Sequence, residues 1–214
     1  MGDCRNCYNK GVEHALKKNP PSKQKVIDAA SLLFFQNGFH GTSVRDIADS
    51  AEVNVSLISY YFKGKQGLLE YAVTKYYEAY FEEIDEKVLA NKSLSKYEQL
   101  KQLVAVIIEY KQSHLQLSCT IHREMSLDSV FVREMLVTYL AKESHYLSQL
   151  LFPLLTDQST EEKQLLLMQL KGMLMTPYLL HNEWKYQVVG YHSHQLFVKR
   201  YVKKIHEWLD FVAH

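Results

Sequence analysis

Glycine and proline are scarce in this 214-residue sequence, at 8 and 4 residues, which removes most of the turn-forming positions that a sheet-rich fold requires. Cysteine is rarer still. The three, Cys4, Cys7 and Cys119, form an odd set, which argues against a disulfide framework and for free thiols in a reducing compartment. No window approaches the roughly 18 consecutive apolar residues of a membrane-spanning helix. The first residues also lack the apolar stretch of a secretory signal, so the expectation is a cytoplasmic chain without a membrane partner. Neither charge sign dominates, since 25 Lys and Arg stand against 24 Asp and Glu for a formal net charge of +1. What is abundant is Leu, Lys, Glu, Gln and Tyr, and 47% of the residues are hydrophobic, enough for a substantial core built from long helices. The predicted fold class is all-α.

The small net charge hides an asymmetry. Residues 1–65 hold nine Lys and Arg against six Asp and Glu, whereas the remainder holds sixteen against eighteen, so the positive end is the one that would face a nucleic acid. Residues 1–22 are polar, keep no apolar period and end in Pro20-Pro21, the pattern of a mobile arm. Cys4 and Cys7 have the spacing of half a structural zinc site, but no second pair of ligands lies near them in the sequence, and no metal is expected.

From Lys23 to Asn37 apolar residues recur at helical spacing, and Gly38 supplies a stop. Thr42-Ser43 followed by Asp46 has the pattern of a capping box, which starts a second, short helix ending near Ser50. Glu52–Asn54 reads as a turn with Asn54 as the next N-cap, and a third helix covers about Val55 to Tyr61. Two short helices crossing steeply need a small residue where they touch, and Ala48 supplies it. Val44, Ile47, Ala51, Val53, Ile58 and Tyr61 fall at the spacings that face a core. The first turn residue of such a unit adopts a left-handed conformation that favours Gly or Asn, but here it is Glu52, at a cost of about 1 kcal/mol. After Lys63–Gly67 a long helix begins whose apolar period runs from Leu68 to Val88. Further amphipathic helices hold Leu100–Tyr110, Leu115–Met125 and the stretch after an Asp128-Ser129 cap, and a Ser159/Glu162 capping box opens another that ends near Pro177. The last covers about His192 to Val212, with Phe197, Tyr201, Ile205, Trp208 and Val212 on its buried side.

The runs Thr42-Ser43-Val44-Arg45-Asp46-Ile47-Ala48, Ala51-Glu52-Val53 and Tyr60-Tyr61-Phe62-Lys63-Gly64-Lys65-Gln66-Gly67-Leu68 resemble the DNA-binding domain of TetR-family regulators. That resemblance implies an N-terminal three-helix helix-turn-helix domain, 23–67, and a C-terminal helical dimerisation and regulatory domain, 68–214. It also implies a homodimeric, nucleoid-associated repressor bound to palindromic double-stranded DNA, its last two helices forming an intersubunit four-helix bundle. By the same resemblance the third helix enters the major groove with Val55, Ser56, Leu57 and Ser59 toward the bases, the two apolar ones suited to thymine methyl groups. Arg45 matches a position that reaches a base in some members; a phosphate or an internal acidic partner is the alternative. Thr42, Ser43, Tyr60 and Lys65 are the candidate phosphate anchors, because hydroxyls, cations and helix N-termini bind anions without sequence selectivity.

For the C-terminal region two readings stand side by side. Family members commonly take a small apolar effector among these helices, and Tyr110, Cys119, His122, Met125 and Tyr139 are the candidate lining residues, although aromatic and Met stripes also build ordinary cores. Cys119 and His122 have the spacing of a nucleophile and a base, but nothing in the sequence supplies an oxyanion site, and neither catalysis nor a cofactor is expected. The runs from Arg123 to Ser129, Val132 to Glu134 and Leu170 to Tyr178 resemble the RefZ type of TetR-like regulator. That likeness implies a DNA-bound protein that inhibits assembly of the division protein FtsZ during sporulation, with surface charges such as Arg123 or Lys142 toward the partner.

Overall fold

The computed structural model describes residues 21–90, 93–126, 130–181 and 194–213. Among these there are nine α-helices and no strand, as the composition implies: α1 Pro21–Asn37, α2 Val44–Ser50, α3 Val55–Phe62, α4 Lys65–Ile84, α5 Lys96–Ser113, α6 Leu115–Ser126, α7 Val130–Leu151, α8 Thr160–Leu179 and α9 His194–Val212. The arm was expected to reach residue 22, but Pro21 and Ser22 already belong to α1. Proline suits a first helical position, where its fixed φ is helical and its missing N–H would have no partner. The Cys4/Cys7 pair, the Asp128-Ser129 cap and the rest of the arm lie outside the described residues.

Two compact units are present. One comprises the described residues up to Tyr76 with Ser113–Ile121, the other Tyr77–Gln112 and the described residues from His122 onward. The division falls at Tyr76 rather than near Gly67: the first turns of α4, where Leu68, Leu69, Ala72 and Val73 are buried, belong to the same unit as α1, where Val26, Ala30 and Phe34 are buried. Tyr76 completes this unit, its hydroxyl 2.8 Å from the Ser118 hydroxyl and its ring edge-on to His114.

The second unit is unusual in what it buries. On α5 the apolar positions Leu100, Leu103, Val104 and Ile107 lead, one turn on, to Lys111, which is 2% exposed. Its ammonium lies 3.2 Å from the Glu143 carboxylate of α7, and the Tyr80 hydroxyl donates to that carboxylate too. Aromatic rings enclose the group: Tyr80 packs against Tyr110, and Tyr77 stacks on Tyr139 at 4.4 Å. A second polar debt is settled on α8. Pro177 has no N–H to give the Met173 carbonyl, and the Tyr201 hydroxyl of α9 donates to that carbonyl at 2.8 Å instead. On α9 the expected inward residues hold only in part. Phe197, Ile205 and the unforeseen Leu209 are buried, while Tyr201, Trp208 and Val212 are half-buried.

Removing a carboxylate that pairs with a desolvated ammonium is costly. Glu143→Gln is therefore expected to lower unfolding free energy by about 3–5 kcal/mol in urea titrations. Lys111→Met added to it is expected to recover most of that loss, since the amide oxygen still accepts from Tyr80. A double variant as unstable as the single one would show that packing, not charge, sets the cost.

Candidate DNA-binding interface

Helices α2 and α3 are positioned by caps that the sequence encodes. The Ser43 hydroxyl accepts from the Asp46 N–H at 3.1 Å and the Asp46 carboxylate accepts from the Ser43 N–H at 2.9 Å, closing the capping box. Those bonds hold the Asp46 carboxyl below the usual range. The Asn54 side chain accepts from the Ser56 N–H at 2.9 Å. Glu52 between the helices has φ 55°, so the non-glycine turn residue does take the left-handed conformation. Ile47 and Ala48 of α2 and Ile58 and Phe62 of α3 are buried; Phe62 is a main anchor of α3 that the spacing argument passed over. Gly67 has no alternative: a Cβ there would collide with the Phe62 carbonyl oxygen.

With the inward face fixed, the outward face follows. Val55 is 43% exposed and Tyr60 79%, Ser56 and Ser59 are exposed, and Leu57 is half-buried. Positions 55, 56, 59 and 60 share one side of a helix, so the structure brings these candidates together. Ser43 and Arg45, at the start of α2, are exposed as well.

Two candidates are placed differently. Thr42 is 1% exposed, and its hydroxyl donates inward, shared between the Gly38 carbonyl at 2.8 Å and the Leu33 carbonyl at 3.2 Å. Its side chain therefore serves the α1–α2 turn and not a phosphate; the residue precedes the N-cap, where a hydroxyl falls on the core side. Lys65 is half-buried, and its ammonium donates to the Phe39 and Thr42 carbonyls, both at 2.7 Å, while lying 4.5 Å from the Phe39 ring centroid. Nothing in the sequence pattern signalled either bond, since both partners are backbone atoms more than twenty residues away.

Of the proposed effector-lining residues, Tyr110, Cys119 and His122 are each 3% exposed, Met125 is half-buried, and Tyr139 lines a groove. That groove, of about 500 Å3, is open and lies between α4 and α7, with Tyr77, Phe81 and Tyr139 along it. Glu78, Glu82, Asp85 and Glu86 line it with Lys142, whose ammonium sits 4.3 Å from the Phe81 ring centroid. The buried Lys111–Glu143 pair was missed, yet a signal existed: opposite charges occupy core-face positions on two amphipathic helices.

The family model for bacterial regulatory proteins of the tetR family matches residues 26–72, which are α1 to the first turns of α4. The probable HTH-type transcriptional regulator YttP of Bacillus subtilis is 39% identical over 196 residues, 88% of this chain and 92% of that protein. The chain belongs to the TetR family. It is thus a transcriptional regulator of the helix-turn-helix type. The biofilm operon icaADBC negative regulator IcaR of Staphylococcus aureus is 31% identical over 75 residues, 35% of this chain and 38% of that one. Solved structures share the fold over most of the chain. A tetR-family regulatory protein from Rhodococcus RHA1 superposes with a TM-score of 0.71 at 12% identity, covering 89% of this chain and 98% of that one. The fatty acid degradation regulator FadR of Bacillus halodurans gives 0.67 at 22% identity, covering 90% and 96%.

His122 supplies a test of how tightly the C-terminal unit is packed. Burial, then the charge of Lys111, holds its imidazole well below the ordinary histidine range, and its Nδ1 has no hydrogen-bond partner. In the unfolded chain this imidazole takes up a proton below about pH 6.5, whereas in the fold it stays neutral. The unfolded state then binds the extra proton, and acid favours unfolding. Stability should fall as pH drops from 7 through 5, and less steeply in His122→Phe, as read from urea midpoints. Equal slopes for the two proteins would mean that His122 is charged or solvated in the fold.

Proposed function

We propose that this regulator binds palindromic operators as a homodimer, reading the major groove with the exposed side of α3 and anchoring phosphates through Ser43 and Tyr60. The observation that carries the DNA reading is the division of α3 into a buried side, Ile58 and Phe62, and an exposed side formed by Val55, Ser56, Ser59 and Tyr60. Half-buried Leu57 and exposed Arg45 stand at the edge of that surface as additional base contacts.

The dimer reading is supported by α8, which is apolar on two sides. Leu167, Leu170, Leu174 and Tyr178 are buried in its own subunit. Leu165, Met168, Gly172, Met175 and Leu179 follow the alternating three- and four-residue spacing of a helix–helix seam. Of these, Leu165 is 50% exposed and Met168 64%. On α9, Phe211 is 83% exposed. A second subunit covering these side chains with its own α8 and α9 removes an apolar surface that a monomer would leave in water.

Regulation through the C-terminal unit has two forms, a small apolar effector or a protein partner. The filling of the core by Tyr80, Tyr110, Tyr178 and the Lys111–Glu143 pair favours the partner. The open groove and its exposed charges, Lys142 included, suit a protein surface better than an enclosed ligand. The RefZ-like runs give that partner an identity to test, FtsZ.

A genomic-fragment pull-down with sequencing tests the DNA and dimer readings together. Wild type is expected to enrich a short palindrome. Tyr60→Ala should lose that enrichment while remaining dimeric, and Met168→Glu should sediment as a monomer and lose it too. Enrichment that survives Met168→Glu would remove the two-fold dimer from the reading, and no enrichment by wild type would remove operator binding.

A further inference from the structure

The Lys65 side chain does something that a phosphate anchor does not. It starts α4 and reaches back to the α1–α2 turn, where two carbonyls, of Phe39 and Thr42, accept from its ammonium at 2.7 Å and the Phe39 ring lies against the same charge. That turn is itself locked: Thr42 donates to the carbonyls at the end of α1, the Phe39 ring packs on Phe34, and Ser43 caps α2 one residue later. Lys23 makes a cation–π contact to the same helix, its ammonium 3.9 Å from the Tyr71 ring centroid of α4 and 5.5 Å from that of Phe62. The Lys65 bonds are of another kind: charge-assisted hydrogen bonds are short and directional, and partial burial strengthens them.

We infer that Lys65 is a positioning residue: its ammonium ties the start of α4 to the turn that aims α2 and α3, and it sets the angle of the reading head without contacting DNA. The inference rests on the DNA-binding reading and deepens it. Two of the three ammonium donors are committed to carbonyls, and moving the group to a phosphate would break both bonds and leave the carbonyls unsatisfied at a half-buried site. A lysine that contacts phosphate and a lysine that aims the head differ in salt dependence. Each lost phosphate contact lowers the slope of log affinity against log salt by about 0.9, or about 1.8 when both subunits carry the change. A lost aim weakens base contacts and leaves the number of released ions unaltered.

The probe is a fluorescein-labelled duplex, the sequence most enriched by wild type from a random library, titrated at salt from about 50 to 200 mM. Two variants are compared, Lys65→Met, which removes the charge, and Phe39→Leu, which removes the ring beneath it and keeps the charge. Both are checked for native helicity well below their melting temperatures. The expected result is a loss of affinity of about ten- to hundredfold in each, comparable with one or two lost base contacts, at an unchanged salt slope. A slope lowered by about 1.8 in Lys65→Met, with Phe39→Leu near wild type, makes Lys65 a phosphate contact and overturns the inference. Unchanged affinity in folded Lys65→Met overturns it as well, by reducing the bond to a matter of stability. Should Lys65→Met fail to fold, Phe39→Leu decides alone: weaker binding at the same slope supports the positioning role, and wild-type binding defeats it. If wild type enriches no duplex, operator binding itself fails and the positioning role falls with it, a result distinct from every outcome with the variants.

Discussion

Helices of seven and eight residues do not persist in water on their own, because the cost of nucleating each is never recovered over two turns. Everything in the N-terminal unit answers to that constraint. The capping box on α2 and the Asn54 cap on α3 satisfy N–H groups that short helices have in high proportion. Phe62 and Ile58 hold α3 by burial, and Gly67 lets the chain enter α4 against the Phe62 carbonyl. Glu52 sits in the left-handed turn at a cost of about 1 kcal/mol, tolerated because Ala48, Ala51 and Ile47 fix the chain on the side before it. What is left outside is a set of small, apolar and hydroxyl side chains whose positions owe little to themselves and nearly everything to the residues behind them. A reader of this design can change its exposed residues without refolding.

The C-terminal unit solves a different problem. A core that takes in several tyrosines among its leucines and isoleucines brings hydroxyls inside with the rings, and each needs a partner. Tyr80 finds Glu143, Tyr178 finds the Ile108 carbonyl at 3.1 Å and Tyr201 finds the Met173 carbonyl that Pro177 leaves open. Lys111 neutralises the carboxylate that serves Tyr80. Breaking one member leaves a charge in a site of low polarity, so the members of the group depend on one another.

Local signals were the legible part. The capping boxes at Ser43 and Ser159, the Asn54 cap, the left-handed Glu52 and the order of the helices all depend on residues within four positions of each other, and the sequence states such relations directly. Most of the exposed side of α3 was legible for the same reason, Leu57 being the exception, since it is half-buried. What sequence reasoning could not reach were bonds across the fold to backbone atoms: Thr42 to Leu33, Lys65 to Phe39, Tyr201 to Met173. A carbonyl oxygen belongs to every residue and has no signature, so a hydroxyl or an ammonium aimed at one looks the same in sequence as one aimed at solvent or phosphate. Thr42 and Lys65 were read outward on that ground, and both turn inward.

Helix α8 shows a second kind of blindness, and a physical one. Amphipathicity is a vector, and a helix apolar on one side points clearly at its core. On α8 the residues Leu167, Leu170, Leu174 and Tyr178 pull one way, and Leu165, Met168, Met175 and Leu179 pull the other, so the two contributions cancel and the helix reads as evenly mixed. The cancellation is itself informative. A helix that meets only its own core has no use for a second apolar stripe, which costs solubility while it is exposed. Gly172, where a Cβ would meet no neighbouring atom, lies in the middle of that stripe and permits close approach of another helix backbone, which a larger side chain would hold away. Two apolar sides, one filled from within the subunit and one open along a seam of alternating three- and four-residue steps, suit a helix shared between two cores, and the proposed dimer rests on that pattern.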